Sequence, residues 1–220
     1  QLQTTAQQFA TLAHLHESRP IDNPEIRAVF EALLPGAAGA ARSALIGKVG
    51  LALSGGGFRA SFYHLGVLAR LAELDVLRHV DVLSCVSGGS IVGACYWLML
   101  RNRLIEKAPL SHRDYLALVG DLTVHFQDAV GQNLRGQVQP TKKAALWHFL
   151  TGGKGALDTE KTAEALERYF YAPLWKEAVP LYMHHLVFTP KDHDPALAGS
   201  ETFHPGRHNW LRVDKVPALV

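Results

Sequence analysis

The sequence predicts an α/β domain built on a parallel sheet, and three observations carry that reading. Two short apolar runs, "KVGLALS" (Lys48 to Ser54) and "VDVLSCV" (Val80 to Val86), have the length and composition of buried strands. Each passes through a glycine-flanked turn into a segment with helical periodicity. The joins are short, so strand and helix alternate as they do when crossover helices wind a parallel sheet.

The elements follow in order. Residues 3–17 and 24–34 are expected as two short helices, the second opened by Pro24 after Asp22 and Asn23 and stopped by Pro35-Gly36. Residues 36–47 form a small-residue connector, so 1–47 is an N-terminal helical segment and linker ahead of a domain at 48–220. After the first strand, a helix from about Phe58 to Leu77 carries Phe58, Phe62, Leu65, Leu68, Ala69 and Ala72 on one face. After the second, a helix from about Gly89 to Arg103 is apolar nearly all round, and other elements should enclose it. The stretch 107–175 holds no strand candidate and is expected as a helical insertion, a natural place for a lid. One of its helices opens at Ser111 with Asp114 three residues on, a variant of the capping box, and turns Tyr115, Leu118, Val119, Leu122 and Phe126 to one side. Another runs from Thr159 to about Tyr171 behind Asp158, and "TGGKG" (Thr151 to Gly155) is a loop. "YMHHLVFTP" (Tyr182 to Pro190) reads as a strand, residues 191–208 as a polar loop, and the final "VPALV" as a buried strand just entered.

Composition excludes several classes of function. Among 220 residues, 48% are hydrophobic and 19% charged, enough to bury a sizeable core. The net charge is +2 with His neutral, and no dense Lys/Arg block occurs, so no nucleic-acid partner is expected. The two cysteines, Cys85 and Cys95, sit in apolar surroundings without metal-ligand spacing and read as reduced core thiols. No uncharged apolar run approaches the roughly 18 residues that a membrane-spanning helix needs. The first residues lack the pattern of a secretory signal. A cytoplasmic or peripheral membrane location is expected.

Chemistry gathers at the two turns. "SGGGFRAS" (Ser54 to Ser61) joins strand to helix through three glycines, which let a ligand approach the backbone amides without a Cβ in the way. The helix N-terminus adds free N–H groups and partial positive charge. Together these suit a phosphate or the oxyanion of an acyl-transfer transition state. A nucleotide site is the rival. A dinucleotide fold, however, places its acid at the far end of the second strand, whereas Asp75 precedes that strand and Asp81 begins it. No Lys-Ser/Thr pair follows the glycines either. In "DVLSCVSGGSIVGA" (Asp81 to Ala94), a strand ends in x-Ser-x-Gly and passes into a helix, the pattern of a nucleophile elbow. Ser87 and Gly89 hold the motif's positions, while Cys85 stands where its leading glycine would be. A structural turn serine is the alternative reading; Ser84 lies inside the strand, and Ser90 in the first helical turn. In a parallel sheet both turns lie at the ligand-binding edge, so an anion site can face the Ser87 hydroxyl.

These two stretches, in this order and spacing, resemble the patatin-like phospholipase family over roughly residues 49–94. The resemblance implies a three-layer fold, a central mostly parallel sheet with helices on both faces, and lipid acyl hydrolase activity. It implies Ser87 as nucleophile, Gly55, Gly56 and Gly57 as oxyanion glycines with Arg59 beside them, and no metal or cofactor. Its partners would be a lipid substrate and, peripherally, a membrane surface. Ala60 and Cys85 depart from the family's usual glycines. The family's base is an Asp in Asp-Gly-Gly or Asp-Gly-Ala, yet no Asp here is followed by Gly. Asp192, Asp194 and Asp214 are the late acids, and His64, His184, His185, His204 and His208 the histidines that a triad could use. The expectation is therefore a serine lipid acyl hydrolase of the phospholipase or lysophospholipase kind, whose catalytic Asp is supplied by a further C-terminal segment or a second polypeptide. A catalytically inactive lipid- or anion-binding module, and more remotely a nucleotide-binding α/β domain, are the alternatives.

Overall fold

The computed structural model describes residues 48–132, 159–178, 182 and 186–220. The helices expected at 3–17 and 24–34, the connector at 36–47, the Asp158 cap and the loop at 151–155 lie outside them. Strand β1 (Val49–Leu53) pairs in parallel with β2 (Val80–Cys85), Leu51 opposite Leu83 and Leu53 opposite Cys85. Strand β3 (Ala218–Leu219) lies parallel along the other edge of β2, with Ala218 opposite Val82. The order β1-β2-β3 makes β2 the central strand, and the α/β class with a parallel sheet and helices around it is what the structure has. Side chains alternate across the sheet. Val49, Leu53 and Leu83 point into the core, while Gly50, Ala52, Val82 and Ser84 are exposed among the described residues.

Helix α1 (Gly57–Glu73) follows β1 and buries Leu65, Leu68 and Ala72. It stops at Glu73 rather than at the expected Leu77. The Leu74 N–H still reaches Arg70 O at 3.1 Å, but Asp75 then takes φ 57 and reverses the chain. An ion pair between Arg78 and Asp75 (2.6 Å) spans the turn, which delivers Leu77 to the core from a 3-10 turn, Leu77–His79. Helix α2 (Gly88–Glu106) follows β2 and is enclosed, as its uniform apolarity implies. Val92, Cys95, Tyr96, Leu100 and Leu104 are all buried in it. Its buried Arg101 lies 4.6 Å over the Trp175 ring and donates to Glu177 at 2.7 Å, so the charge enters the interior paired.

Helix α3 (His112–Gly131) begins with the expected capping box. The Ser111 hydroxyl accepts from the Asp114 N–H, and Asp114 accepts from the Ser111 N–H at 2.7 Å. Lys107 and Ser111 together hold the Asp114 carboxyl below the usual carboxylate range. Tyr115, Leu118, Leu122 and Phe126 are fully buried against α1 and α2. Within the helical stretch 107–175, α3 is thus part of the core. Helix α4 (Thr159–Leu166) widens into a π-turn at Glu167–Tyr171. That winding leaves the Phe170 carbonyl for His125 Nε2, which donates to it at 2.9 Å, and for the Cys95 thiol at 3.7 Å. The Phe170 ring stacks on Phe58 at 5.9 Å and meets Phe126 edge-on at 5.0 Å.

The expected strand at 182–190 is corrected where the structure describes it. Residues 182 and 186–190 join no strand, and 183–185 lie outside the described residues. Phe188 instead packs edge-on against Trp97 of α2 at 5.7 Å, and the Lys191 N–H bonds to Leu104 O at 2.9 Å. Replacing Ser111 by Ala should destabilise the protein by about 1 kcal/mol, the usual worth of an N-cap hydroxyl. A fall in the urea midpoint at unchanged m-value is the expected result.

Candidate active site

Ser87 is the N-cap of α2, and its backbone lies at φ 51, ψ −118. A non-glycine residue at positive φ costs about 1–3 kcal/mol and persists only where its surroundings enforce it. Here they do. The Val86 N–H bonds to Leu53 O (3.0 Å), Cys85 N–H to Val220 O (2.8 Å) and Gly89 N–H to Val86 O (2.9 Å), which fixes the chain on both sides of the turn. The Ser87 side chain is exposed, and no hydrogen bond occupies its hydroxyl among the described residues.

The glycines beside it make a contact that no side chain could share. A Cβ on Gly88 would sit 2.1 Å from Gly57 O, and one on Gly89 would sit 2.2 Å from Leu53 O. The two strand–helix turns therefore touch backbone to backbone. The buried Ser61 hydroxyl, one turn into α1, fastens them by donating to Gly88 O at 2.7 Å. Gly55 faces the serine directly, since a Cβ there would lie 3.2 Å from Ser87 Cβ. Gly56 and Gly57 take φ 140 and φ 63, which L side chains rarely adopt. No side chain caps α1 and no acid lies in its first turn, so its leading N–H groups and partial positive charge stay available. Arg59, exposed in that turn, forms no ion pair among the described residues. The structure thus brings Ser87 beside Gly55, Gly56 and Gly57, with Arg59 on the same turn of helix. A hydroxyl and a group of amides so arranged can address one carbonyl from two sides.

Cys85 shows how the departure from the leading glycine is accommodated. Its half-buried thiol lies against Gly93 of α2, where a Cβ would be 2.5 Å from Sγ. The missing side chain on the helix compensates for the extra one on the strand. Burial pushes the Cys85 thiol up to about 11. Both cysteines are free, and Cys95 is fully buried.

The late acids, and His64 and His208 among the histidines, are engaged elsewhere. Asp192 pairs with Arg212. Asp194 caps the short helix Pro195–Ala198, accepting from the Ala196 N–H at 2.9 Å. Asp214 is fully buried, accepting from the Leu110 N–H and from Arg212 at 3.0 Å each. His64 is buried, and its Nε2 donates to the Ser54 carbonyl at 2.9 Å, so it fixes the glycine turn from behind. His208 Nδ1 accepts from the His204 N–H at 3.0 Å, and burial lowers its pKa, in keeping with a neutral acceptor. His184 and His185 lie outside the described residues. The acids weighed for a nucleotide site are spent as well: Asp75 on Arg78, and Asp81 on the Val49 N–H and Asn209. Ser84 sits on the exposed sheet face, away from the inward set.

Sequence reasoning passed over Ser61 and Gly93. Ser61 had a signal, since it follows Gly57 by one helical turn and so faces back to the glycine loop, whereas Gly93 meets a strand residue across the elbow and had none. A family model described as patatin-like phospholipase matches residues 51–194, a stretch that includes both turns. No curated protein and no solved structure matches the chain. The Cys85–Gly93 exchange yields a double-mutant prediction. Gly93→Ala should cost about 1–3 kcal/mol through overpacking, and much of that loss should vanish when Cys85→Ala removes the sulfur. Chemical denaturation of the four proteins measures the coupling, and additive losses would show that the thiol is not what Gly93 makes room for.

Proposed function

Since the chain belongs to the patatin-like phospholipase family, a family of lipid acyl hydrolases, we propose that it cleaves fatty acyl esters of phospholipids or lysophospholipids through an acyl-enzyme on Ser87. The observation that carries this reading is the backbone of Ser87, held at φ 51 on a strand–helix turn with its hydroxyl exposed and Gly55 against it. A structural turn serine has no need of that strain.

In the reaction, Ser87 Oγ attacks the acyl carbonyl while its proton passes to a carboxylate base. The negative charge that develops on the carbonyl oxygen is met by the N–H groups of the Gly55–Gly57 turn and by the positive end of α1. Collapse breaks the ester bond, the base returns the proton to the departing alcohol, and water then hydrolyses the acyl-serine by the same route. We assign the base to none of the late acids of residues 1–220. The family's Asp-Gly pattern does not occur in them, and each late acid already serves a structural partner. Those engagements also favour a second reading, a lipid-binding module without turnover. The substrate is met at a membrane surface; no described helix is long and apolar enough to cross one.

A fluorophosphonate probe should label Ser87 in the folded protein and fail to label Ser87→Ala, which should melt at a similar temperature but lose ester hydrolysis. Absence of labelling would favour the binding module. Gly56→Val should lower turnover roughly 100- to 1000-fold, as loss of an oxyanion donor does, because the branched Cβ cannot adopt φ 140 beside Ala60. A fully active Gly56→Val protein would show that the glycine turn only connects β1 to α1.

A further inference from the structure

The buried face of α1 carries two polar side chains among its apolar ones. Ser61, His64, Leu65, Leu68 and Ala72 all lie in it, and a polar group there costs free energy unless it is hydrogen-bonded. Both are, and each holds the main chain of one of the two turns that make the site. Ser61 donates to Gly88 O on the nucleophile turn at 2.7 Å. His64, almost one turn further along, donates from Nε2 to Ser54 O at 2.9 Å, at the entry to the glycine turn. A carbonyl can only accept, so that nitrogen carries the proton. The Ser54 hydroxyl lies 3.3 Å from the same nitrogen.

The bond to Ser54 O bears on the N–H that follows it. The Ser54 carbonyl and the Gly55 N–H are the two ends of one planar trans peptide, so they point in opposite directions. Holding the oxygen against His64 therefore turns the Gly55 N–H away from it. Gly55 stands against Ser87, where a Cβ would lie 3.2 Å from the serine's own, and no group among the described residues takes its N–H. Three consecutive glycines do not hold such a direction by themselves, because glycine passes between negative and positive φ at little cost. An oxyanion donor is effective only when its direction is set before the charge develops.

We propose that His64 is a positioning residue for acyl transfer: by holding the Ser54 carbonyl back, it keeps the Gly55 N–H directed at the carbonyl oxygen of an ester bound at Ser87. The inference rests on the acyl hydrolase reading and adds to it a residue that touches neither substrate nor nucleophile. One face of α1 then sets both turns, Ser61 the place of the nucleophile and His64 the direction of an oxyanion donor.

An ester and its thionoester separate aim from stability. The sulfur of a thiocarbonyl accepts hydrogen bonds weakly and sits farther from carbon, so donors placed for an oxygen favour the ester. The ratio of the two turnovers does not depend on how much of the protein is folded. In the full chain, His64→Leu removes the donor, and His64→Asn leaves its amide short of the Ser54 carbonyl. Both should lower kcat on a short-chain ester by up to roughly 100-fold, the effect of misplacing a reacting group by about 1 Å, with little change in KM. The ester-to-thionoester ratio should fall in step. His64→Gln, whose side-chain N–H comes close to the place of Nε2, should recover most of both. A ratio that stays at the wild-type value in all three variants overturns the proposal, and equal losses on both substrates would return His64 to the candidate bases. A His64→Gln protein as impaired as His64→Leu overturns it too. The two readings fail separately. Absence of Ser87-dependent turnover in the wild-type protein removes the hydrolase and this role with it, whereas wild-type turnover with an unmoved ratio removes the role of His64 alone.

Discussion

The site rests on one close approach, between the backbone of Gly88 at the start of α2 and the carbonyl of Gly57 at the start of α1. With no side chain between them, two helices that leave neighbouring strands begin at the same point on the sheet edge. The Ser61 hydroxyl then converts proximity into a fixed distance by donating to Gly88 O. Nearly everything else follows from this contact. It places Ser87 over Gly55, it aims the uncapped end of α1 at the serine, and it lets α1, α2 and α3 share one apolar cluster that includes Leu68, Val92, Leu100 and Phe126. Any added carbon at Gly88 would have to push the two helices apart, and with them the core that they share.

The charged residues in the interior tell a complementary story. Arg212 joins Asp192 and Asp214, Lys215 donates to Asn209 O and Arg212 O at the end of a helical turn, and Arg101 is held between Glu177 and the Trp175 ring. Each buried charge has partners, as burial demands. Removing one member would strand the others in low dielectric, so these groups are poor candidates for the proton traffic of a reaction. The region around Ser87 is built on the opposite plan, from backbone amides and a neutral hydroxyl with few charges nearby.

Much of this was legible in the sequence, for a physical reason. The strands at Val49–Leu53 and Val80–Cys85, the enclosed helix at Gly88–Glu106 and the Ser111 capping box all depend on local patterns of a few residues; the strands and the helix start lie within a residue of their expected places, and the helix runs three residues past the expected Arg103. The glycine turns and Ser87 declare themselves through backbone requirements that few residue types can meet. The misses depend on distant partners. The segment at 186–190 has strand-like composition, but it packs on α2 instead, Phe188 against Trp97 and the Lys191 N–H on Leu104 O. The helix after the glycine turn ended early because Asp75 could reverse the chain once Arg78 was placed to hold it. The pairing of Cys85 with Gly93 joins a strand to a helix, and neither residue alone reveals it.

The central place of β2 has a further bearing on the elbow. The strand is bonded to β1 on one edge and to β3 on the other, up to Val86, the residue before the serine. Opening the turn therefore requires releasing both edges, together with the glycine contact beneath it. Such an event belongs to the global unfolding of the domain and not to the fraying of a loop. A strained backbone placed there has no low-cost excursion through which to relax, and amides on either side of Ser87 would exchange with solvent only as slowly as the core itself.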